Sequence, residues 1–516
     1  RNIRYMYSII KTAVPQGMES IPVSVETNIS EGMPVFEMVG FLSSEVREAR
    51  ERVRVALQNS GISLPPKRIT INFMPADVRK SGTAMDLAVA ASVLCAMGCM
   101  DLEIAESSMF VGEVSLSGEI TSVRGVLSAA ILAGNLGLQR IFVPVKNKEE
   151  AGICPGIHVV PVRSLKDLIR LVTGTELEKQ YYHSTLVFEP ENYDLDFSEV
   201  KGQALVRRAC EIAVSGRHNL LMIGPPGSGK TMIARRIPTI FPDLEWEEML
   251  ELSQIYGSCE HQETTAVLQQ TRPFRSPHHT ITPQGLCGGG KNPVPGEISL
   301  AHKGVLFLDE FPEFPKNLID MLRQPMEEKL IRISRVGTSV SFPCDFMLVA
   351  AMNPCKCGYY PDMSRCRCTP ASVHSYINHI SQPMLDRMDM TVETRALSVT
   401  ELMNDMKVEN SESIRNRVLR AREIQKERFR GKPYDVNTAM SPSDTVQYCA
   451  MDGEARSYLM QVSAEQEFSA RVYYKILRVA RTIADLDESE RVREKHLMEA
   501  CIYRSLDRKY WGRMGN

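Results

Sequence analysis

Long hydrophobic runs are missing from these 516 residues. None approaches the ~18 uninterrupted apolar residues of a membrane-crossing helix, which excludes a helical membrane protein and predicts no membrane partner. The opening RNIRYMYSII has neither an apolar signal core nor a cleavage site, so the expected location is the cytoplasm. A surplus of charge is missing too: 61 Lys and Arg stand against 63 Asp and Glu, a net charge of −2. Any nucleic-acid contact must then come from local patches and not from a global field. A disulfide framework is also absent. The thirteen cysteines are odd in number and nine are scattered singly through apolar segments, the pattern of reduced thiols. The chain is too long for one core, so about two to four domains are expected.

What is present is concentrated in Asn219 to Thr231, NLLMIGPPGSGKT. An apolar strand runs into Gly224, Pro225, Pro226, Gly227, Ser228, Gly229, Lys230 and Thr231, which fit the phosphate-loop pattern G-x-x-x-x-G-K-[ST]. Glycines let the backbone curl so that N–H groups point at phosphates, and the following helix offers its positive end. Lys230 would neutralise the β and γ oxygens of ATP, and the Thr231 hydroxyl would hold Mg2+. Gly304 to Glu310, GVLFLDE, supplies a second apolar strand ending in two carboxylates. Asp309 would bind the magnesium ion and Glu310 would polarise the attacking water. Asn353, at the carboxyl end of a further strand, is sited to orient that water.

The first part of the chain reads as α/β without a nucleotide motif. Ser44 to Ser60 has a helical period, Arg68 to Phe73 alternates like a strand, and Met85 to Met97 is an apolar helix. A hairpin turns at Ser117-Gly118, followed by a helix at Arg124 to Asn135 and a strand at Arg140 to Pro144. This order, with GEVSLSGEI as the closest match, resembles the proteolytic domain of the Lon family. The resemblance implies a catalytic serine where Ala84 stands and a lysine where Leu127 stands, so no acyl transfer and no protease activity are expected. Ser81 beside Lys80 is a residual candidate, but neighbours on one strand seldom face each other.

Thr271 to Gly296, TRPFRSPHHTITPQGLCGGGKNPVPG, is too rich in Gly and Pro for a core strand or helix. A loop this long inside a domain is usually functional or disordered. Its Arg272, Arg275, His278, His279 and Lys291 read as backbone-supporting or DNA-facing groups, since the paired histidines have no third metal ligand nearby. Lys316 to Glu327 reads as a helix, and Leu330 to Pro343 as a hairpin turning at Gly337. Cys355, Cys357, Cys366 and Cys368 follow as C-x-C-x8-C-x-C. Four thiolates from one hairpin satisfy tetrahedral zinc in a closed, structural site; unligated thiols, a disulfide pair and an iron–sulfur cluster remain alternatives. The position between Asn353 and Arg387 points to a protruding element near a subunit boundary. Ser413 to Arg430 carries seven basic residues, either a solvated helix face or a surface for DNA or an acidic partner. The last helices should close over the nucleotide as a small lid.

RPFRSPHH, PGEISLAHKGVLFLDE, AAMNPCKCGYY and SARVYYKILRVARTIADL together resemble the AAA+ ATPases of the magnesium-chelatase-like family that includes bacterial competence proteins. The resemblance covers essentially the full length. It implies an α/β multidomain fold: residues 1–177 Lon-protease-like without a catalytic dyad, 178–199 a linker, 200–397 an AAA+ parallel-sheet core with a helix-2 insert and the four-cysteine insertion at 355–368, and 398–516 a helical lid. It implies that Arg387, in LDRMD, is the arginine finger of a neighbouring site and that Arg471 is the lid's sensor arginine. It implies a homo-hexameric ring that moves on single-stranded, duplex or branched DNA as a branch-migration helicase in recombination. The rival is a motor that remodels a protein partner, as magnesium chelatase does. A non-catalytic scaffold conflicts with Lys230, Asp309 and Glu310.

Overall fold

The computed structural model describes residues 6–77, 80, 82–173, 177–182, 184, 193–259, 268–290, 293–335, 338–398, 401 and 408–511. Ser81, Lys291, the Gly337 turn and residues 183 and 185–192 of the expected linker lie outside them.

The front of the chain builds a seven-stranded mixed sheet. Its strands are β1 (Tyr7–Gln16), β2 (Glu19–Ser30), β3 (Val35–Val39), β4 (Arg68–Met74), β5 (Ser108–Phe110), β6 (Arg140–Pro144) and β7 (His158–Val162), in the order β3-β4-β2-β1-β5-β6-β7. Helix α1 (Ser44–Asn59) buries Val46, Ala49, Val53, Ala56 and Leu57, a 3.6-residue stripe, and the Ser43 hydroxyl caps it by accepting from the Val46 N–H. Helix α2 (Asp86–Ala96) is buried on every side, as an all-round apolar helix must be. Its one charge, Asp86, is met by Arg52 through two hydrogen bonds of 2.7 and 3.1 Å. Helix α3 (Val126–Asn135) carries the face that meets the second half of the chain.

That half is organised by a five-stranded, all-parallel sheet. After α4 (Ala204–Gly216) come β8 (Leu220–Ile223), α5 (Lys230–Arg236), α6 (Trp246–Gly257), β9 (Phe274–Arg275), β10 (Val305–Leu308), the hairpin β11 (Leu330–Arg335) and β12 (Thr338–Pro343), β13 (Met347–Met352) and β14 (Met390–Glu393). The order β9-β10-β13-β8-β14 puts β8, β10 and β13 side by side, and all their residues are buried, as continuous apolar runs require in a parallel sheet. The glycine-rich segment contributes β9 after all. Being two residues long and at the sheet's edge, it needs few ladder bonds. The helix expected over Lys316 to Glu327 is broken into Lys316–Met321 and Arg323–Glu328, because Pro325 has no N–H for the Met321 carbonyl. Phe197, at the end of the expected linker, is fully buried in the core of this half.

Helices α7 (Ser411–Arg428), α8 (Ala470–Leu486) and α9 (Ser505–Trp511) close the chain. Among the described residues no helix is long and apolar enough to cross a membrane. The two halves meet where Val126 and Leu127 of α3 share a buried cluster with Leu244, Met249 and Leu252 around α6. At a second contact the β11–β12 hairpin rests on the turn after β1, with the Gln16 amide donating to the Ser339 carbonyl at 3.3 Å.

Candidate functional site

Strand β8 delivers the chain to the carboxyl edge of the sheet, the edge where α/β folds hold ligands. There the Gly224 N–H donates to the Met352 carbonyl at 3.1 Å. A Cβ on Gly224 would lie 2.0 Å from Thr394 Oγ1 and 2.3 Å from its carbonyl, so only glycine lets the loop leave the sheet here. Gly227 and Gly229, at φ 75° and 84°, reverse the backbone so that α5 opens at Lys230. The Lys230 ammonium donates to the carbonyls of Gly224 at 2.8 Å and Pro225 at 3.0 Å, and to Asn353 Oδ1 at 3.2 Å. Burial pushes its pKa down to about 8, against the raising pull of Asp309 and Glu310.

The Thr231 hydroxyl donates to Asp309 Oδ2 at 2.5 Å, and Asp309 Oδ1 accepts from the Glu310 N–H at 2.9 Å. Two oxygens this close, one neutral and one anionic, are a fitting donor pair for a hard divalent cation. Glu310 sits in the left-handed region at φ 51°, a conformation that costs a non-glycine residue roughly 1–2 kcal/mol. Its Oε2 lies 3.4 Å from His279 Nδ1. The sequence offered HH between the two nucleotide motifs as its only signal for this contact. The His278 and His279 rings pack at a tilt with centroids 4.0 Å apart, and His278 bonds Thr280 Oγ1 at 2.9 Å. The neighbouring arginines support the fold: Arg272 donates to the carbonyls of Pro242 and Lys303, both at 2.7 Å, and Arg275 forks onto Glu297 with two bonds of 2.6 Å.

The two expected arginines lie elsewhere. The Arg387 carbonyl accepts from the Asn219 amide at 3.1 Å, and Asp389 accepts from the Asn219 N–H at 2.9 Å. Asn219 precedes β8, so Arg387 stands at the amino edge of the sheet, about 13 Å of strand away from the phosphate loop at the usual rise per residue. Its guanidinium bonds the Pro383 carbonyl at 2.7 Å and pairs with Glu327. Arg471, with a 75% exposed side chain, reaches Asp386 at 3.6 Å on the same face. Helix α8 runs beneath this edge: Lys475 bonds the Met388 carbonyl at 2.9 Å and Asp389 at 2.8 Å, and Thr482 bonds His218 at 2.8 Å. The expected closure of this helix over its own nucleotide is therefore not what the chain adopts. The apolar stripe of α8 is consumed by packing against α4 and α7 at the opposite edge.

The four cysteines do converge. Their sulfurs lie within 4.8 Å of one another, with Cys355 at 3.3 Å from Cys357 and 3.8 Å from Cys366, and all thirteen cysteines are unpaired. Zinc held at about 2.3 Å from each sulfur requires spacings of about 3.8 Å, so the set fits that ion closely. Backbone N–H groups of Tyr359 and then Arg367 pull the Cys357 thiol down to about 6, and the Tyr360 N–H donates to Cys355 at 3.4 Å. The tip of the knuckle, residues 361–365, is exposed, while its base is anchored in the core. Cys355 and Cys366 are buried in the cluster that holds Ile223 and Met352, because the turn lies against the phosphate loop.

At the Lon-like positions Ala84 is 8% and Leu127 2% exposed, both inside the cluster shared with α6. The Leu127 N–H donates to Glu150 at 3.0 Å. Lys80 is fully buried, its ammonium turned to the Pro75 carbonyl. On α7 and just beyond it, Arg415, Arg417, Arg420, Arg422, Lys426, Arg428 and Arg430 each stand within ion-pair distance of a carboxylate. That helix presents a charge-balanced surface and not a basic stripe.

Comparison with known proteins accords with this arrangement. The family described as magnesium chelatase, subunit ChlI, matches residues 196–402; subunit ChlI of Mg-chelatase matches 25–147; and the ChlI C-terminal family matches 408–504. The uncharacterized protein YifB of Escherichia coli is 39% identical over 97% of both chains. The competence protein ComM of Haemophilus influenzae is 37% identical over 97% of this chain and 98% of its own. An archaeal Lon protease of Methanocaldococcus jannaschii is 25% identical over 23% of this chain and 18% of its own.

Proposed function

The chain belongs to the magnesium-chelatase-like AAA+ ATPases of the ComM and YifB type, and from that premise we propose that it is a ring-forming motor that couples ATP hydrolysis to movement along DNA. The observation that carries the motor reading is the separation of the catalytic groups onto two edges of one sheet. Lys230, Thr231, Asp309, Glu310 and Asn353 gather at the carboxyl edge, and Arg387 and Arg471 share the amino edge. A single chain thus holds the two halves of a site on opposite faces. Repeating the chain around a ring through head-to-tail contacts brings one copy's arginines to the next copy's phosphate loop.

In this reading the chain's own groups divide the work. The loop N–H groups and Lys230 bind the triphosphate, Glu310 orients and deprotonates water, and Asn353 fixes Lys230 and the water between them. Thr231 and Asp309 would hold magnesium, which supplies neutralisation of the oxygens that gain charge. Zinc in the four-cysteine knuckle is structural, since four thiolates leave no open position. Residues 1–177 serve as a scaffold without peptidase chemistry, 200–397 as the motor and 398–516 as a helical buttress to it.

The direction toward DNA comes from the competence protein among the relatives. ATP turnover measured alone and with single-stranded, duplex and branched DNA tests it. Stimulation by one of these is expected, strongest with branched DNA. Turnover indifferent to all three would favour a motor acting on a protein partner.

A further inference from the structure

We propose that the four-cysteine knuckle positions the phosphate loop, so that a metal ion held by its thiolates raises the loop's affinity for nucleoside triphosphate. The inference rests on the zinc reading above and adds to it a route to the nucleotide. Gly358, in the knuckle's first turn, lies against the loop so closely that a Cβ there would stand 2.3 Å from Pro226 Cδ and 2.9 Å from its Cγ. The position of Gly358 is set by the first ligand, because its N–H donates to the Cys355 carbonyl at 3.0 Å in a turn held at φ 84°.

Two more connections reach the same loop. Only Pro354 separates Cys355 from Asn353, whose Oδ1 accepts from Lys230 at 3.2 Å. On the knuckle's other side, Tyr360 faces Tyr510 of α9 with ring centres 6.4 Å apart, and the Tyr510 hydroxyl donates to Glu393 at 2.9 Å. Glu393 precedes Thr394, the residue that closes over Gly224. The knuckle therefore touches the middle of the phosphate loop directly at Pro226, and reaches its lysine through Asn353 and its start through Tyr510, Glu393 and Thr394. A cation that draws four sulfurs to fixed spacings holds this wall in one place. Without it, weak thiol hydrogen bonds, the turn's own backbone bonds and the burial of Cys355 and Cys366 hold the turn against Pro226 less firmly than four metal–sulfur bonds do. A loop held ready binds phosphate without the ordering cost that a loose one must meet.

The experiment uses the full chain and a fluorescent, non-hydrolysable ATP analogue. Metal content is measured by elemental analysis, and the Kd of the analogue is measured before and after the knuckle is stripped with a thiol-directed mercurial and a chelator, followed by thiol reduction. Circular dichroism on each sample confirms that the fold is kept. Stripping should weaken the analogue about tenfold, and zinc added back should restore it. Gly358→Ala should retain its metal and still bind about tenfold more weakly, whereas Gly358→Ala with Pro226→Ala, which removes the Cδ and Cγ in the way, should bind more tightly than Gly358→Ala alone. That recovery is one that a merely destabilised fold would not give. An unchanged Kd in the folded, stripped protein overturns the metal dependence, and wild-type affinity in Gly358→Ala overturns the contact. A native protein without metal defeats the zinc reading itself, while the Gly358→Ala comparison still decides whether the knuckle positions the loop.

Discussion

Glu310 and His279 meet at 3.4 Å, a contact that joins the carboxylate proposed to activate water to the Gly- and Pro-rich segment between the two nucleotide motifs. The carboxylate is more than half exposed and its backbone is left-handed, so little else fixes its aim. His279→Ala is expected to leave nucleotide Kd within about twofold and to lower kcat about tenfold, some 1.4 kcal/mol in the barrier. Steady-state ATPase kinetics beside equilibrium binding separate the two effects. An unchanged kcat would make the histidine a loop-packing residue only.

Lys230 gives a pH dependence with a definite sign. Burial lowers its pKa to about 8 in the structure, so its charge is already being lost there above that pH. A bound triphosphate favours the ammonium and raises the pKa, so binding takes up a proton above pH 8. Affinity should be flat below about pH 7.5 and fall as pH rises, toward a limiting slope of about tenfold per unit. Lys230→Arg, which stays charged, should remove the slope even if it binds more weakly. A wild-type Kd constant from pH 7 to 9.5 would contradict the assignment.

How much of this was legible in the sequence follows from how local the chemistry is. Gly224 to Thr231 had to be contiguous, since one turn and one helix end make the loop, and the spacing of the four cysteines likewise reports a single hairpin. Periodicity gives α8 an apolar stripe through Val472, Ile476, Val479 and Ile483, of which the last three are buried. It could not show which surface would cover that stripe, and hence misplaced the helix over the nucleotide. The burial of the knuckle's base was hidden for the same reason: Gly358 against Pro226 joins residues more than a hundred positions apart. The break at Pro325 was readable from proline's missing donor.

Leu127 stands where the Lon resemblance implies a lysine. It is buried between α3 and the α6 region, where an amine would have no counter-charge except Glu150, already bonded to the Leu127 and Val126 backbone N–H groups. Leu127→Ala should cost about 2–4 kcal/mol of stability, seen as a lower melting temperature, because it empties a packed junction. Neither this variant nor the wild type should cleave an unfolded polypeptide. Cleavage abolished by Ser81→Ala would overturn that expectation.

In the proposed ring, Arg387 serves the neighbouring copy. Charge accumulates on the γ-phosphoryl oxygens in the transition state, and Lys230 with magnesium meets only part of it. An arginine from outside contributes 10³ to 10⁵ in rate, roughly 4–7 kcal/mol. Its present partner, Glu327, has a 63% exposed side chain, and an ion pair so open is worth at most about 1 kcal/mol, a small barrier to re-aiming the guanidinium. Because Arg387 and the phosphate loop occupy opposite edges of the sheet, the arginine should serve the neighbouring copy. Arg387→Ala should bind ATP like the wild type and hydrolyse it at least about a thousandfold more slowly. Arg471→Ala, on the same face beside Asp386, should show a milder loss of the same kind. Mixing Arg387→Ala with inactive Lys230→Ala chains should restore turnover, since some interfaces then join an intact loop to an intact arginine. Full activity in Arg387→Ala would remove the residue from the mechanism; an inactive variant that no mixture rescues would keep it catalytic and place its action within one chain.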